Sequence, residues 1–386
     1  MKDSAIERIL DKIAGDLNIS DAQYEAAESK YNQMAKHIDR STPDKKIVIY
    51  PQGSFALGTI IKPIDKEDEY DLDFVFEYNT YDSSAENLKS ETQSILQNYG
   101  KCKINEKRRC WQVTYDDNPQ FHMDIIPAIT QEKFINITDK NDDGLYAYIG
   151  SNPKAYIDWF REKQKASYQR IRETLRFQTK IEEVKEYKIK TTLQKSIQIL
   201  KRHRDMMFKD DMNNCKPISI IITTMAANIY NHETRVIDTL TNFLTEAEEY
   251  LRTSINTKNE YVIKNPTYTG GEPENFADKW AIHPERKEAF LKWIRKAKND
   301  FNLDALKAIN NVELANYLKK ILGEKTVTRV FNSIAEETRF EIENKKLKVD
   351  SNTGALSKEG DIGIRTTHHY GKVSKKKTDF NFWPIR

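Results

Sequence analysis

The sequence predicts an α+β protein built as two lobes, with a mixed β-sheet in the N-terminal lobe and a bundle of helices in the C-terminal lobe. Short apolar segments with strand-like alternation are concentrated in residues 46–127. Segments with the spacing of amphipathic helices dominate residues 152–345. With 386 residues, the chain is long enough to form a core in each lobe. We therefore divide it into a sheet lobe with its N-terminal helices and a bridging helix (1–185), a helical lobe (186–345) and a polar, basic tail (346–386).

Composition predicts a soluble protein of the cytoplasm. Charged residues make up 31% of the chain, its mean hydropathy is −0.76, and no apolar run approaches the roughly 20 residues that span a bilayer. The N-terminal MKDSAIERILDKIAGD alternates charged and apolar residues, so we expect neither a signal peptide nor a membrane anchor. The three cysteines are far apart, which argues against a disulfide framework and against a four-ligand zinc site. The net charge of +3 does not by itself demand a nucleic-acid partner.

Local patterns predict the elements of the first lobe. Apolar residues at helical spacing predict helical structure over residues 4–38 with a break near residues 15–19, and Ser20 followed by Gln23 predicts a capping box at the second start. Further along we expect a strand at 46–50, a helix at 83–99, and a hairpin formed by 101–105 and 108–115.

The most informative stretch is residues 50–78. A short strand ends at Gly53 and Ser54, a polar loop follows, and a second strand begins with Asp71 and Asp73. Because side chains alternate along a strand with a rise of about 3.3 Å per residue, the two carboxylates share one face roughly 7 Å apart. Such a pair can share a divalent cation, and a Gly-Ser step at a helix start can receive a phosphate. An Asp-x-Asp alone is often a solvated strand end, so the prediction of a triphosphate site beside a metal site depends on the two features together.

A third carboxylate lies in the apolar run at residues 121–127. Asp124 is isolated among apolar residues, and a buried acid is costly unless it meets a cation or a donor. We expect it to join the other two if its strand lies beside theirs; the alternative is a capped strand end near Pro127. His122 shares the face of Asp124, but we interpret it as a packed or hydrogen-bonded histidine and not as a ligand.

These motifs resemble those of a known family. Gly-Ser, a spacer and Asp-x-Asp in an apolar strand resemble the signature of the polymerase β-like nucleotidyltransferases. The wider sequence context, PQGSFALGT followed by EYDLDFVF, resembles the cGAS/DncV-like nucleotidyltransferases, the CD-NTases of bacterial anti-phage (CBASS) signalling. The resemblance spans most of residues 45–300 and implies the two-lobe nucleotidyltransferase fold. It assigns catalytic and metal-binding roles to Asp71, Asp73 and Asp124, and nucleotide binding to Gln52, Gly53 and Ser54.

The helical lobe contains a basic segment, residues 188–208, with an apolar stripe on one face. A basic helix is usually a solvated surface. In the resembled family, however, a lysine in an LKRHRD-like segment and a serine opening the next helix bind the triphosphate, which implies that Lys201 and Ser219 do so here. Lys195 is the competing candidate for the lysine.

The remainder of the second lobe is predicted to be mainly helical. Asn152 and Pro153 predict the start of a bridging helix that ends at about residue 186. The Asn-Pro loop before ENFADKW also resembles CD-NTases, and we expect Trp280 to be a core residue. Later elements are expected at 233–255 (helix), 260–264 (a short strand), from about 275 (helix), 304–322 (helix) and 325–345 (helix). The glycine-containing tail is expected to be loosely packed, with its basic KVSKKK run and FNFWPIR end available for docking.

The resemblance implies an enzyme that uses two Mg²⁺ ions, or Mn²⁺ in their place, to join nucleoside triphosphates into a cyclic di- or trinucleotide. That product would activate a separate effector protein. We expect a monomer, with a regulatory protein or an RNA activator as a further partner, since the basic helix could bind RNA; no Cys/His cluster supports a zinc thumb. One alternative is a nucleotidyltransferase that modifies RNA or a protein hydroxyl, and another is an inactive binding scaffold, against which the three carboxylates argue.

Overall fold

The computed structural model describes residues 2–65, 70–100, 102–115, 121–178, 186–211, 213–267, 274–344, 346–349, 356–357 and 362–363. In the described residues the helices are α1 (Lys2–Leu17), α2 (Asp21–Ser41), α3 (Gly53–Ala56), α4 (Ala85–Gln97), α5 (Pro153–Gln178), α6 (Thr192–Met207), α7 (Ser219–Ile229), α8 (Val236–Thr253), α9 (Pro284–Asp300), α10 (Leu303–Ala308), α11 (Asn311–Leu322) and α12 (Glu324–Glu343). The strands are β1 (Ile47–Pro51), β2 (Tyr70–Tyr78), β3 (Lys103–Glu106), β4 (Trp111–Thr114), β5 (Phe121–Thr130), β6 (Ile135–Lys140), β7 (Tyr146–Ser151), β8 (Lys348–Val349), β9 (Leu356–Ser357) and β10 (Ile362–Gly363).

The first lobe is organised around a mixed sheet of seven strands. Its order is β1-β2-β5-β4-β3, with β6 paired to both β5 and β7. Strands β2 and β5 run parallel, and the other pairings described in this sheet are antiparallel. The predicted α+β fold with two lobes is therefore confirmed, as is the capping box at Ser20 and Gln23 that opens α2.

Alternation along β2 separates a core face from a polar face. Leu72, Phe74, Phe76 and Tyr78 are all buried and pack in one hydrophobic cluster with side chains of α2 and α4. Because neighbouring residues on a strand point in opposite directions, Asp71 and Asp73 are left on the opposite face. The core thus fixes which face of the sheet carries the carboxylates.

A second, larger core lies among the helices. It combines buried residues of α6, α7, α8, α9, α11 and α12 with Leu10 and Ile13 of α1 and Phe160 of α5. The first helix of the chain therefore packs against the helical lobe, while α2 packs against the sheet. A lobe boundary at residue 185 stays a prediction, and the N-terminal helices contribute to both cores.

The structure corrects three elements expected in the second half. The helix predicted over 304–322 is divided into α10 and α11, because Asn310 caps a new start with a capping box. The helix expected from about Asn275 begins at Pro284, because the Asn275 side chain accepts from Ile263 N–H and holds a loop instead. The short strand expected at 260–264 is reduced to isolated bridges. Trp280 is buried against Tyr261 and Phe290, as predicted for a core residue.

The tail contributes strands β8, β9 and β10, which pair as a small antiparallel sheet. The KVSKKK and FNFWPIR segments lie outside the described residues, as do residues 66–69 of the loop before β2 and the predicted end of the bridging helix at 179–185. Among the helices that the structure describes, none is both long and apolar enough to span a bilayer.

Candidate active site

The carboxylates meet on the two parallel strands of the sheet. In the register of β2 and β5, Asp73 pairs with Asp124 and Asp71 pairs with His122. Residues paired across neighbouring strands place their side chains on the same face of a sheet. The structure therefore brings Asp124, some fifty positions further along the chain, beside the Asp-x-Asp pair as predicted.

The Gly-Ser step lies directly against one of these carboxylates. Gln52 is the N-cap of α3, and its backbone N–H donates to the Asp73 carbonyl at 2.8 Å. Gly53 has φ +60°, and a Cβ placed there would lie 2.0 Å from Asp73 Oδ2. Glycine is required at this position both by its backbone conformation and by the space that the carboxylate occupies. Ser54 follows in the first turn of α3, so the Gly-Ser backbone and the carboxylates share one small region.

The electrostatics of the site are those of three carboxylates that crowd one another in a partly buried cleft. Burial raises the pKa of Asp73 to about 7, with the charges of Asp71 and Asp124 adding to the effect. Burial also raises the pKa of Asp124. Desolvation in the cleft opposes ionisation of Asp71, but the hydrogen bond and charge of His122 outweigh it and lower the pKa of Asp71. The three carboxylates are therefore close enough to repel one another.

A hard cation fits this arrangement. Asp124 Oδ1 is buried and accepts no hydrogen bond, which is costly for a carboxylate unless a cation binds it. Carboxylate oxygens are the ligands that Mg²⁺ and Mn²⁺ favour. Within the described residues, no group of three or more His, Cys, Asp and Glu side chains is already drawn together to hold a metal ion. The residues that would hold a cation are Asp71, Asp73 and Asp124.

Lys201 approaches the same region from the helical lobe. Its ammonium is buried, donates to the Thr59 carbonyl at 3.0 Å and interacts electrostatically with Asp71 and Asp73. Burial, reinforced by the charge of Arg204, lowers the pKa of Lys201 to about 8. Lys201 therefore places a positive charge next to the carboxylates.

Helix α6, which carries Lys201, also binds the segment that follows Ser54. Gln194 donates to the Leu57 carbonyl at 2.9 Å, and Gln198 donates to the Ile60 carbonyl at 2.8 Å. Together with Lys201, these side chains fasten three carbonyls of residues 57–60 to α6. The position of the Gly-Ser helix therefore depends on contacts between the two lobes.

Ser219 is the first residue of α7, as predicted, and its hydroxyl accepts from Arg204 Nη1 at 2.7 Å. The competing lysine, Lys195, forms an ion pair with Asp11 of α1 at 2.6 Å. The geometry thus places Lys201, and not Lys195, in electrostatic contact with the carboxylates. That Lys201 and Ser219 bind nucleotide stays a prediction, as do the roles of Gln52, Gly53 and Ser54.

Comparison with known families agrees with this geometry. Residues 5–164 match the model of the SMODS family, the Second Messenger Oligonucleotide or Dinucleotide Synthetase domain. The chain is also 28% identical over 343 residues to a protein named c-di-GMP synthase from Roseivirga ehrenbergii, covering 86% of this chain and 88% of that protein. Residues 5–164 therefore form a nucleotidyltransferase domain similar to those of the cGAS/DncV-like family.

Solved structures of CD-NTases share the fold of this nucleotidyltransferase. CdnG of Bradyrhizobium diazoefficiens, solved with GTP, aligns with a TM-score of 0.69 at 20% identity, covering 86% of this chain and 99% of that one. The cyclic AMP-GMP synthase DncV of Vibrio cholerae, described as a prokaryotic cGAS homolog, aligns with a TM-score of 0.53 at 15% identity, covering 78% and 76%. At these identities the likeness concerns the fold, and it includes both lobes.

Sequence reasoning missed His122 as a member of the nucleotidyltransferase site. Its Nε2 lies 2.9 Å from Asp71 Oδ1 and 3.9 Å from Asp124 Oδ1. The sequence contains a signal for this role, because the alternation of side chains along the strand places His122 on the same face as Asp124. It was set aside because isolated histidines are usually structural.

The basic helix of this nucleotidyltransferase is not the solvated surface that such segments usually form. Lys201, Arg202, His203 and Arg204 are all buried. Arg202 donates to the Lys62 carbonyl at 2.5 Å, and His203 Nε2 lies 2.9 Å from Asp300 Oδ2. Lys201 and Arg202 donate to carbonyls of the first lobe, whereas His203 pairs within the helical lobe. These buried side chains offer no exposed surface to RNA, and an RNA activator stays a prediction.

A cavity of about 330 Å³ lies beside the carboxylates of the nucleotidyltransferase, between the β3–β4 turn and the start of α7. Lys107, whose charge reaches Asp124, and Lys216, whose charge reaches Asp71, both line it. Ile218, Ile220, Phe276 and Trp280 supply apolar walls. Glu274 and Asp278 also line it, so the cavity combines apolar walls with basic and acidic side chains.

Proposed function

We propose that this nucleotidyltransferase joins nucleoside triphosphates into a cyclic di- or trinucleotide with release of pyrophosphate, in a reaction that depends on Mg²⁺. The observation that carries the proposal is the register of β2 and β5, which sets Asp73 beside Asp124 with Gly53 against the same carboxylate. The carboxylates on one side provide oxygen ligands for the cations of a triphosphate, and Lys201 on the other side provides a positive charge for its phosphates.

Each of these residues would have a role that follows from its position in the site. Bound Mg²⁺, as two ions, would neutralise the triphosphate and lower the pKa of the attacking ribose hydroxyl. Asp71, Asp73 and Asp124 would hold these ions. Gly53 and Ser54 would receive the β- and γ-phosphates at the start of α3, and Lys201 and Ser219 would hold the same phosphates from the helical lobe. In each step the hydroxyl oxygen bonds to the α-phosphorus while the bond between that phosphorus and the pyrophosphate oxygen breaks.

Similarity to the protein named c-di-GMP synthase supports a cyclic dinucleotide as the product and GTP as a substrate. We further propose that the product activates a separate effector within an anti-phage system in the cytoplasm. A regulatory protein would control that activity, and Mn²⁺ would also support the reaction in place of Mg²⁺. Transfer of nucleotides to RNA or to a protein hydroxyl is the competing function, since the same site could activate any hydroxyl that enters it.

The test is to incubate the protein with labelled NTPs and Mg²⁺, treat with phosphatase, and analyse the product by mass spectrometry. A phosphatase-resistant cyclic product supports the proposal, whereas label found only on added RNA or on protein would refute it. The double variant Asp71→Ala, Asp73→Ala is the control. It should fold and lack turnover, because removing two mutually repelling carboxylates costs the metal-free protein little.

A further inference from the structure

His122 lies near two of the three carboxylates and is hydrogen-bonded to one of them, Asp71. Its Nε2 is 2.9 Å from Asp71 Oδ1, a hydrogen bond in which the imidazole donates to the carboxylate, and 3.9 Å from Asp124 Oδ1. The imidazole is 14% exposed, while the Asp71 side chain is 64% exposed. A largely buried imidazole therefore holds a carboxylate whose side chain is more exposed than its own.

The backbone fixes this contact. His122 is the register partner of Asp71 across the parallel strands, and it stands two residues before Asp124 on the same face of β5. One residue of regular strand lies between the histidine and Asp124, and one strand spacing separates the histidine from Asp71. The imidazole is therefore positioned by the sheet itself and needs no loop to bring it into place.

We propose that His122 is a positioning residue that orients Asp71 for a divalent cation. The inference rests on the proposed function in assuming that these carboxylates hold a cation. A carboxylate has two oxygens and several lone pairs, so Asp71 can accept from His122 and still bind a metal ion. Hydrogen bonds from outside the ligand set orient metal ligands, and their loss typically costs about 10–100-fold in metal affinity or activity.

A purely structural role for His122 would be to fill space on the polar face of the sheet. The two roles differ in which property of the His122 side chain a substitution must retain. His122→Leu keeps the bulk and loses the N–H donor, whereas His122→Gln places an amide N–H near the position of Nε2. Orientation of Asp71 requires the donor, while packing requires the volume.

The experiment measures binding of Mn²⁺, as the metal alone and without nucleotide, by the electron paramagnetic resonance signal of the free ion. We expect the Kd to rise by about 10–100-fold in His122→Leu and to stay within about threefold of the wild type in His122→Gln. His37→Leu is the matched control, because His37 Nε2 contacts the Ile95 carbonyl behind the sheet, and its Kd should equal that of the wild type. Thermal unfolding of each variant with EDTA reports folding separately.

Equal Mn²⁺ affinity in the wild type and in His122→Leu would overturn the positioning role. A wild type that binds no Mn²⁺ would instead overturn the proposed function, so the two failures are distinguishable. If His122→Leu does not fold, His122→Asn serves in its place, because the shorter amide does not reach the position of Nε2. In turnover assays, the Mg²⁺ concentration for half-maximal rate should rise in the variant, with the KM for NTP unchanged at saturating Mg²⁺.

Discussion

Asp73 on β2 stands directly opposite Asp124 on β5, in a parallel pairing inside an otherwise antiparallel sheet of the described strands. Residues 51 positions apart in sequence thus become neighbours on one polar face. Burial raises the pKa of both carboxylates, and charge repulsion adds to it, from Asp71 and Asp124 at Asp73 and from Asp71 at Asp124. The site is at its most stable in the metal-free protein when it is partly protonated, and a divalent cation can replace that proton.

Asp124→Asn should remove NTP turnover, by more than about 100-fold, without lowering the stability of the metal-free protein. Asp124 Oδ1 accepts no hydrogen bond, so the substitution removes a buried charge and breaks no contact of that oxygen. Asp139→Asn is the matched contrast, because Asp139 accepts from Arg108 and Arg109 and should lose stability when its charge is removed. Turnover and urea unfolding of both variants check the prediction, and a large loss of stability in Asp124→Asn would contradict it.

Gly53→Ala should abolish activity, although the substitution adds only one methyl group. The new Cβ would lie 2.0 Å from Asp73 Oδ2 at a backbone φ of +60°, so either the carboxylate or the Gly-Ser turn must move. Gly144→Ala is a suitable control, because Gly144 also has positive φ but meets no atom within 4 Å. We expect comparable strain in both variants and loss of Mn²⁺ binding and turnover only in Gly53→Ala. Retained turnover in that variant would contradict the role assigned to the contact.

The stability of the metal-free protein should fall as pH rises from about 4 to about 7. Over this range the folded protein retains a proton on Asp73, whose pKa is raised to about 7, while an unfolded aspartate has lost it. The folded state binds more protons than the unfolded state, so the free energy of unfolding decreases until pH exceeds the folded pKa. Asp124, whose pKa is also raised, acts in the same direction.

Unfolding measured in EDTA at several pH values should show this decline, and Asp73→Asn should flatten it. Added Mg²⁺ should stabilise the wild type increasingly as pH approaches 7, because the cation binds the deprotonated carboxylates. A profile in EDTA that is the same for the wild type and Asp73→Asn would show that Asp73 titrates normally.

Lys201→Met should raise the KM for NTP at least about tenfold, while Lys195→Met should leave it unchanged. Lys201 interacts with Asp71 and Asp73, whereas Lys195 forms its ion pair with Asp11 on α1. Both variants remove one lysine from the same helix, so a general effect of charge is controlled. Steady-state kinetics at saturating Mg²⁺ decide between them, and a larger effect at Lys195 would reverse the assignment.

Local pattern was enough to locate much of the candidate site. The Gly-Ser step, the Asp-x-Asp pair and the isolated acid at Asp124 were all visible, because strand alternation and the cost of burying an acid act over a few residues. The strands β2 and β5 were recognisable for the same reason. Hence the α+β class and the family followed from short stretches of sequence.

Tertiary structure decided what depends on partners distant along the chain. The register of β2 against β5 determines that Asp73 meets Asp124 and that His122 meets Asp71. The basic residues of α6 look like a solvated surface in sequence, yet Lys201 is buried, with the Thr59 carbonyl of the other lobe accepting a hydrogen bond from its ammonium. The sequence shows only that a lysine side chain prefers water. Whether that side chain is buried depends on a hydrogen-bond partner that replaces the water. That partner is supplied only when the two lobes come together.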